Sequence, residues 1–306
     1  MKRSYAIIGT GGVGGYFGGR LALAGHDVRF LLHSDFEYVR EHGLSVKSHS
    51  GDFALPSVQA YSRVEDIGPV DVVVVCLKTT SEGMLSTMLP PLLKPTSLVI
   101  LIQNGIGVEA EVERLVPGAR LVAGLAFICS AKVGPGKIDH QFYGNINLAP
   151  YNLSPDDLTV LDEVAEEFRA SGVPIKVMDY ALARWKKAVW NMPFNGLSVL
   201  LRCQTDTLVA EPAVNLVRDL MREVVRAAQV CGAPDLKESF IDAMIESTRQ
   251  MPPYSPSMRL DYDFHRPMEI EYLYRRSISM ARAAGCEMAK MEMLEQALST
   301  IEAAKL

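Results

Sequence analysis

The chain has 306 residues, of which 48% are hydrophobic and 22% charged, and this length is enough for two ordinary domains with a large core. The formal net charge of −5 argues against a basic surface for nucleic acid or for an anionic membrane. The longest apolar run, residues 70–77, contains Asp71 and is far too short to cross a bilayer.

The first predicted strand, residues 4–8, leads directly into a glycine-rich loop with the pattern G-x-G-x-x-G. The loop consists of Gly9, Thr10, Gly11, Gly12, Val13 and Gly14. In dinucleotide-binding folds the first glycine permits a tight turn, the second lets the backbone approach a pyrophosphate, and the third lets the helix pack on the strand. The phosphates would lie at the helix N-terminus, where free N–H groups and the helix dipole favour anions.

The N-terminal apolar run ends at once in this loop, so we interpret it as a strand and not as a signal peptide. The five cysteines are scattered and form no C-x-x-C pair, which predicts reduced thiols and neither disulfides nor a metal site. Both observations favour a cytoplasmic protein.

The end of the second predicted strand, residues 26–32, bears on the choice of cofactor. NAD-binding proteins carry an acid there that accepts from the ribose 2′-OH. Here the strand ends in Leu32-His33-Ser34, and the first acid is Asp35. An acid that would repel a 2′-phosphate is missing, and His33 and Ser34 could donate to one. The sequence therefore favours NADPH over NADH.

Polar side chains follow two further predicted strands, residues 71–77 and 97–102. The β-branched run of the first is typical of a parallel strand buried on both faces. Lys78 follows the first strand and Asn104-Gly105 follows the second. The carboxyl ends of parallel strands face the ligand crevice, so Lys78 and Asn104 are candidate ligand contacts, although both also fit ordinary turns.

Residues 120–150 differ, because the turn signals Gly134-Pro135-Gly136 and Tyr143-Gly144 divide them into short extended stretches at 121–130, 137–142 and 145–149. This pattern predicts antiparallel strands. A capped helix over 154–170 and a strand over 173–177 follow. From residue 180 onward the 3.6-residue period dominates. The predicted helices are 180–200, 211–231, 234–250, 269–284 and 290–304. The fold class is therefore an α/β Rossmann-type N-terminal domain (1–178) followed by an all-α C-terminal domain (179–306).

The first helix of the second domain carries Lys187, Asn191 and Asn195 at a spacing of four, so all three share one face. Asparagine is a poor helix former, and a buried pair would need hydrogen-bond partners. Pro193 should kink the helix and free a backbone carbonyl. The alternative is a solvated polar stripe.

At this point the chain resembles the ketopantoate reductases (2-dehydropantoate 2-reductases) over essentially its whole length. The ordered motifs are the glycine loop, Leu77-Lys78-Thr79, Gln103-Asn104-Gly105, the W-x-K-x-x-x-N-x-x-x-N helix from Trp185 to Asn195, and Ser257-Met258-Arg259-Leu260-Asp261 followed by Glu269. The resemblance implies NADPH-dependent reduction of 2-dehydropantoate to pantoate.

The resemblance also implies residue roles. Lys187 would be the general acid and Glu269 its orienting partner. The substrate would be bound by Asn191, Asn195, Ser257 and Asp261. The glycine loop would bind the cofactor, and Lys78 and Asn104 would lie near the nicotinamide, with Lys78 in contact with either cofactor or substrate. His33 joins the cofactor-binding residues from its place at the end of the second strand. The family often has an arginine where this chain has His33. The chain also departs from the family's pattern between Asp261 and Glu269, where residues 262–268 include His265 and Pro267.

Three alternatives stay open at this level: a reductase of another 2-oxo acid, a β-hydroxyacid dehydrogenase, and a non-catalytic NADP(H)-binding sensor. The joint presence of Lys187, Asn191 and Glu269 favours the enzyme. Long apolar helices such as 211–231 need cover, which suggests a homodimer through the helical domain.

Overall fold

The computed structural model describes residues 2–304, without the side chain of Glu82. Two compact units are present. The first comprises the chain up to Gln103 together with Glu109–Asp179, and the second comprises Asn104–Val108 together with the chain from Tyr180 onward. Residues 104–108 are predicted from the sequence to belong to the first domain, whereas the structure groups them with the helical unit.

A ten-stranded mixed sheet forms the centre of the first unit. Its strands are β1 (Ser4–Ile8), β2 (Asp27–Leu31), β3 (Leu44–Ser48), β4 (Phe53–Leu55), β5 (Gln59–Tyr61), β6 (Val70–Val75), β7 (Leu93–Leu101), β8 (Arg120–Gly134), β9 (Lys137–Pro150) and β10 (Ile175–Val177). The order is β4-β3-β9-β8-β7-β6-β1-β2-β5, with β10 beside β9. The helices that start in this part of the chain are α1 (Gly12–Leu23), α2 (Phe36–His42), α3 (Leu85–Met88), α4 (Val108–Leu115) and α5 (Pro155–Ala170).

The parallel strands β6, β1 and β2 confirm the predicted Rossmann-type arrangement. β1 is buried along its whole length and β6 along nearly all of it, as expected for strands covered on both faces. Ile8 is in register with Val75 on one side and with Leu31 on the other. The carboxyl ends of the three strands therefore lie side by side at one edge of the sheet.

Residues 120–150 form two long strands, β8 and β9, instead of the three short strands that the sequence predicts. The two strands pair antiparallel, as predicted. Tyr143-Gly144 does not form a turn. Both residues have positive φ, 60° and 121°, and the register shifts by one opposite Phe127 and Ile128. The pair is therefore a β-bulge, which lets the strand continue.

The second unit is helical, as predicted. Its helices are α6 (Tyr180–Leu200), α7 (Thr205–Leu208), α8 (Ala213–Val230), α9 (Ser239–Arg249), α10 (Ser257–Asp263), α11 (Arg276–Ala283) and α12 (Ala289–Ala303), with a π-helical segment, Glu271–Arg275, before α11. α6 runs through Pro193 to Leu200, and Trp185, Met192 and Phe194 are buried in the core of the unit.

The apolar face of α8 is covered within the unit, since Val217, Leu220, Met221 and Val224 are buried. The reason that the sequence offers for a homodimer, an uncovered α8, therefore does not hold. None of the helices described over residues 2–304 is both long and apolar enough to span a membrane.

Candidate functional site

The glycine loop connects β1 to α1 in a conformation that two of its glycines make possible. A Cβ on Gly14 would lie 2.3 Å from the Gly9 carbonyl oxygen and 3.0 Å from Cγ2 of Ile7. Gly9 has a φ of 97°, and its own Cβ would lie 2.9 Å from the Cys76 carbonyl carbon. Any side chain at these positions would force the helix away from β1 or the loop away from the residues that follow β6.

The middle of the loop is open. Gly11 occupies the N-cap position of α1 without a side chain to cap the helix, and a Cβ there would meet nothing within 4 Å. The N–H groups of a first helical turn lack intrahelical partners and favour an anion. The donor set and the open space therefore fit a pyrophosphate.

Three other loop residues contact neighbouring parts of the first unit. The Thr10 hydroxyl donates to the Leu31 carbonyl oxygen at 2.8 Å, which ties the loop to the end of β2. Gly12 lies against β8, where the Ser130 hydroxyl donates to its carbonyl oxygen at 2.9 Å. Val13 packs against the core of the first unit.

Lys78 lies at the same sheet edge. It follows β6 by three residues, and the Gly9 Cβ position lies 3.0 Å from the Leu77 nitrogen. Lys78 is half-buried. The structure thus places Lys78 and the glycine loop at the ends of adjacent strands, β6 and β1.

The end of β2 presents His33 and Ser34 to solvent, and Asp35 turns inward. Asp35 is 5% exposed, forms an ion pair with Lys132 at 3.2 Å, and accepts from the Gly136 N–H. Its negative charge is therefore compensated within the protein.

An exposed cation near this position, Arg63, is not evident from the sequence pattern. Arg63 comes two residues after Tyr61 on β5, and Tyr61 is in register with Leu31 of β2. Arg63 is exposed and contacts Glu65 at 3.4 Å. The signal was weak because β5 has only three residues.

In the helical unit, a chain of side-chain hydrogen bonds links α6 to the segment after α10. The Asn191 amide donates to the Asn104 side-chain oxygen at 3.0 Å, and the Asn104 amide in turn contacts Glu269 Oε2 at 3.5 Å. Glu269 is 6% exposed. Asn104, which the sequence analysis assigns to the cofactor, thus lies between two residues assigned to catalysis and to substrate.

The Asn104-Gly105 turn is held against the π-helical segment. Ile106 N–H donates to the Tyr272 carbonyl oxygen at 3.0 Å. Gly105 has a φ of 98°, and a Cβ there would lie 2.6 Å from the same oxygen. Glycine is therefore required at this position, and it brings Asn104 to Glu269.

Lys187 and Asn191 share the polar face of α6. Lys187 is half-buried and lies one turn before the fully buried Asn191. Lys187 thus precedes, on the same face, the residue that begins the hydrogen-bond chain to Glu269.

Asn195 is 2% exposed and bonds to the protein through both polar atoms. Its amide donates to the Asn191 carbonyl oxygen at 2.9 Å. Its side-chain oxygen accepts from Met258 N–H at 3.0 Å and contacts the Ser257 hydroxyl at 3.4 Å. Asn195 therefore satisfies the N-terminal turn of α10 and holds Ser257, which is half-buried, at the start of that helix.

Asp261 is 0% exposed. Its carboxylate accepts from Arg266 Nε at 2.9 Å, and its carbonyl oxygen accepts from Arg266 N–H at 2.8 Å. These contacts fold the chain back after α10. Asp261 is predicted from the sequence to line the substrate site, whereas its carboxylate is buried against the Arg266 guanidinium.

Within residues 2–304, no group of three or more histidine, cysteine, aspartate or glutamate side chains is arranged to hold a metal ion.

Comparison with known proteins identifies the family. The model of the family described as Ketopantoate reductase PanE/ApbA matches residues 5–152, and the model described as Ketopantoate reductase PanE/ApbA C terminal matches residues 179–302. A 2-dehydropantoate 2-reductase of Nostoc sp. is 42% identical over 306 residues, covering 98% of this chain and 96% of the relative.

Solved structures agree with this. A crystal structure of 2-dehydropantoate 2-reductase from Geobacter metallireducens has a TM-score of 0.92 and 35% identity, covering 99% of this chain and 100% of that one. The corresponding structure from Methylococcus capsulatus has a TM-score of 0.88 and 29% identity, covering 99% and 97%. The chain therefore belongs to the ketopantoate reductase family, whose members are pyridine-nucleotide-dependent oxidoreductases acting on small molecules.

Proposed function

We propose that this protein reduces 2-dehydropantoate to pantoate with NADPH, and that Lys187 is the general acid. The observation that carries the proposal is the chain of hydrogen bonds from Asn191 through Asn104 to Glu269, on the face of α6 that also bears Lys187. The names of the relatives from Nostoc sp. and Geobacter metallireducens support the choice of substrate.

The first unit binds the cofactor in this proposal. The glycine loop holds the pyrophosphate at the start of α1, and Lys78 at the neighbouring strand end contributes a positive charge beside it. When bound, the nicotinamide supplies the hydride that is transferred to the ketone carbon.

The preference for NADPH rests on the charges at the end of β2. An acid that binds the ribose 2′-OH would repel a 2′-phosphate, but Asp35 is buried and paired with Lys132. His33 and Ser34 are exposed there, and Arg63 follows the neighbouring strand. We assign 2′-phosphate binding to His33 and Arg63, because a guanidinium binds phosphate through several N–H groups at once.

In this proposal Lys187 stabilises the negative charge that develops on the substrate during hydride transfer. As hydride reaches C2, negative charge grows on the ketone oxygen, and an ammonium group stabilises that charge and then donates its proton to form the hydroxyl. We propose that the buried carboxylate of Glu269 orients the Lys187 ammonium group, because a negative charge beside an amine favours its charged form. The amine that results regains its proton from solvent. General acid catalysis of this kind contributes about 10²- to 10⁴-fold in rate.

The four residues expected at the substrate divide into two pairs. We propose that Asn191 and the half-buried Ser257 bind the carboxylate or hydroxyl of the substrate directly. Asn195 is a positioning residue because both its amide nitrogen and its side-chain oxygen bond within the protein, and Asp261 is one because its fully buried carboxylate bonds to Arg266.

The test is optical measurement of NADPH oxidation with 2-dehydropantoate, beside a panel of other 2-oxo acids and a parallel series with NADH. We expect turnover of 2-dehydropantoate with a clear preference for NADPH. Turnover of another oxo acid alone would change the substrate and keep the mechanism. Cofactor binding without reduction of any oxo acid would favour the sensor.

A further inference from the structure

A tyrosine hydroxyl bonds to the backbone of α6 between the two asparagines of its polar face. Tyr274, in the π-helical segment, is 0% exposed. Its hydroxyl donates to the Met192 carbonyl oxygen at 2.7 Å. Met192 lies on the turn of α6 between Asn191 and Asn195, so this bond anchors that turn to the π-helical segment.

The residues around Met192 leave room for this contact. A Cβ on Gly196 would lie 2.7 Å from the Tyr274 hydroxyl oxygen, so only glycine leaves room for it. Pro193 has no N–H, which removes the regular partner of the Val189 carbonyl in the same stretch. This part of α6 therefore depends on a side chain from outside the helix as well as on its own backbone ladder. Burial raises the pKa of Tyr274, so its hydroxyl stays protonated and able to donate.

The two residues that the Tyr274 hydroxyl approaches directly follow the two asparagines in the chain. Asn191 precedes Met192, and Asn195 precedes Gly196. Asn191 reaches Asn104, whereas Asn195 reaches the first turn of α10. A shift of this turn of α6 would therefore displace both connections. A π-helical segment opposite such a point is typical of functional sites.

We propose that Tyr274 is a positioning residue for substrate binding, which anchors this turn of α6 so that Asn191 and the α10 residue Ser257 meet the oxo acid together. This inference rests on the proposed function. Tyr274 is fully buried and acts only through the backbone of α6.

The test compares Tyr274→Phe with Ser277→Ala. Tyr274→Phe keeps the buried ring and removes the hydroxyl that bonds to Met192, so this turn of α6 loses its anchor and the asparagines shift. Ser277 is also fully buried, and its hydroxyl donates at 3.1 Å to the Leu273 carbonyl oxygen one turn away on the same element, without reaching α6. Ser277→Ala therefore matches the loss of a buried hydroxyl without the predicted displacement.

We expect Tyr274→Phe to raise the KM for the oxo acid roughly tenfold, with kcat and NADPH affinity little changed, because displacement of ground-state contacts weakens binding. Ser277→Ala should keep the parental KM. Thermal unfolding of both variants shows how much stability each hydroxyl contributes. Parental kinetics for Tyr274→Phe, or an equal rise in KM for both variants, would overturn the proposal.

A crystal structure of Tyr274→Phe separates this proposal from the proposed function. If the parent protein reduces no 2-dehydropantoate, the proposed function fails, but the positioning role is still decided by the 3.0 Å contact between Asn195 and Met258. Loss of that contact in Tyr274→Phe supports the positioning role, and its retention refutes it.

Discussion

Replacement of Asn195 by alanine should destabilise the helical unit as well as weaken substrate binding. The change removes the acceptor for Met258 N–H and the donor to the Asn191 carbonyl oxygen, both in a site where Asn195 is 2% exposed. Loss of a helix cap costs about 1 kcal/mol, and a buried group left without a partner costs about 1–3 kcal/mol. Because such terms overlap, we expect a loss of about 3 kcal/mol, equivalent to a fall in Tm of roughly 6–12 °C.

Tryptophan fluorescence is a suitable assay, because both tryptophans of the chain, Trp185 and Trp190, lie in α6. Urea unfolding followed at these residues therefore reports on the helical unit. The matched control is Asn215→Ala on α8, where an exposed amide bonds to Glu211 and the expected change is within about 0.5 kcal/mol. An unfolding midpoint for Asn195→Ala equal to that of Asn215→Ala would refute the reasoning, and Asn195 would then be free to serve the substrate.

Three further outcomes are expected. Lys187→Ala should lower kcat by about 10²- to 10⁴-fold with little change in NADPH affinity, while Lys186→Ala, whose ammonium lies 5.5 Å from the Phe240 ring centre, should keep parental kinetics; equal turnover in the two variants would exclude Lys187 as the acid. Gly14→Ala should lower both the Tm and the NADPH affinity, whereas Gly11→Ala, at a position with open space, should weaken binding without loss of Tm. Calorimetry and fluorescence titration separate these effects, and a parental Tm for Gly14→Ala would contradict the packing argument. Burial raises the pKa of Asp71, but hydrogen bonds from Lys94 and Ser4 outweigh it and lower the pKa to about 2. Its stabilisation is present above its unfolded-state value near 3.8 and is lost as the pH falls toward 2, so Asp71→Asn should flatten the acid limb of the unfolding curve, and an unchanged limb would exclude this contribution.

Local patterns in the sequence determine much of this protein. The β1–loop–α1 unit follows from an apolar run and from glycines at positions where a Cβ would meet backbone atoms. The helical nature of the second unit follows from its 3.6-residue period, because that period reflects one buried face on each helix. Lys187 and Asn191 share a face because they are four residues apart in one helix, and this geometry does not depend on any distant residue.

Sequence patterns were weaker wherever distant segments or short elements were involved. The strand β9 passes through Tyr143-Gly144, which looks like a turn locally, because pairing with β8 absorbs the extra residue as a bulge. β5 is too short for a periodic signal, so Arg63 went unnoticed.

The connections of the site were decided by the tertiary structure alone. Asn104 is 87 residues from Asn191 and 165 residues from Glu269 along the chain, yet it contacts both. Asn195 could equally have faced a ligand, but packing of α10 turns its amide to Met258. Helical periodicity predicts which side chains lie on the same face of a helix. The hydrogen-bond partner of each side chain depends on which distant segment packs against that face, and this packing is a property of the whole folded chain.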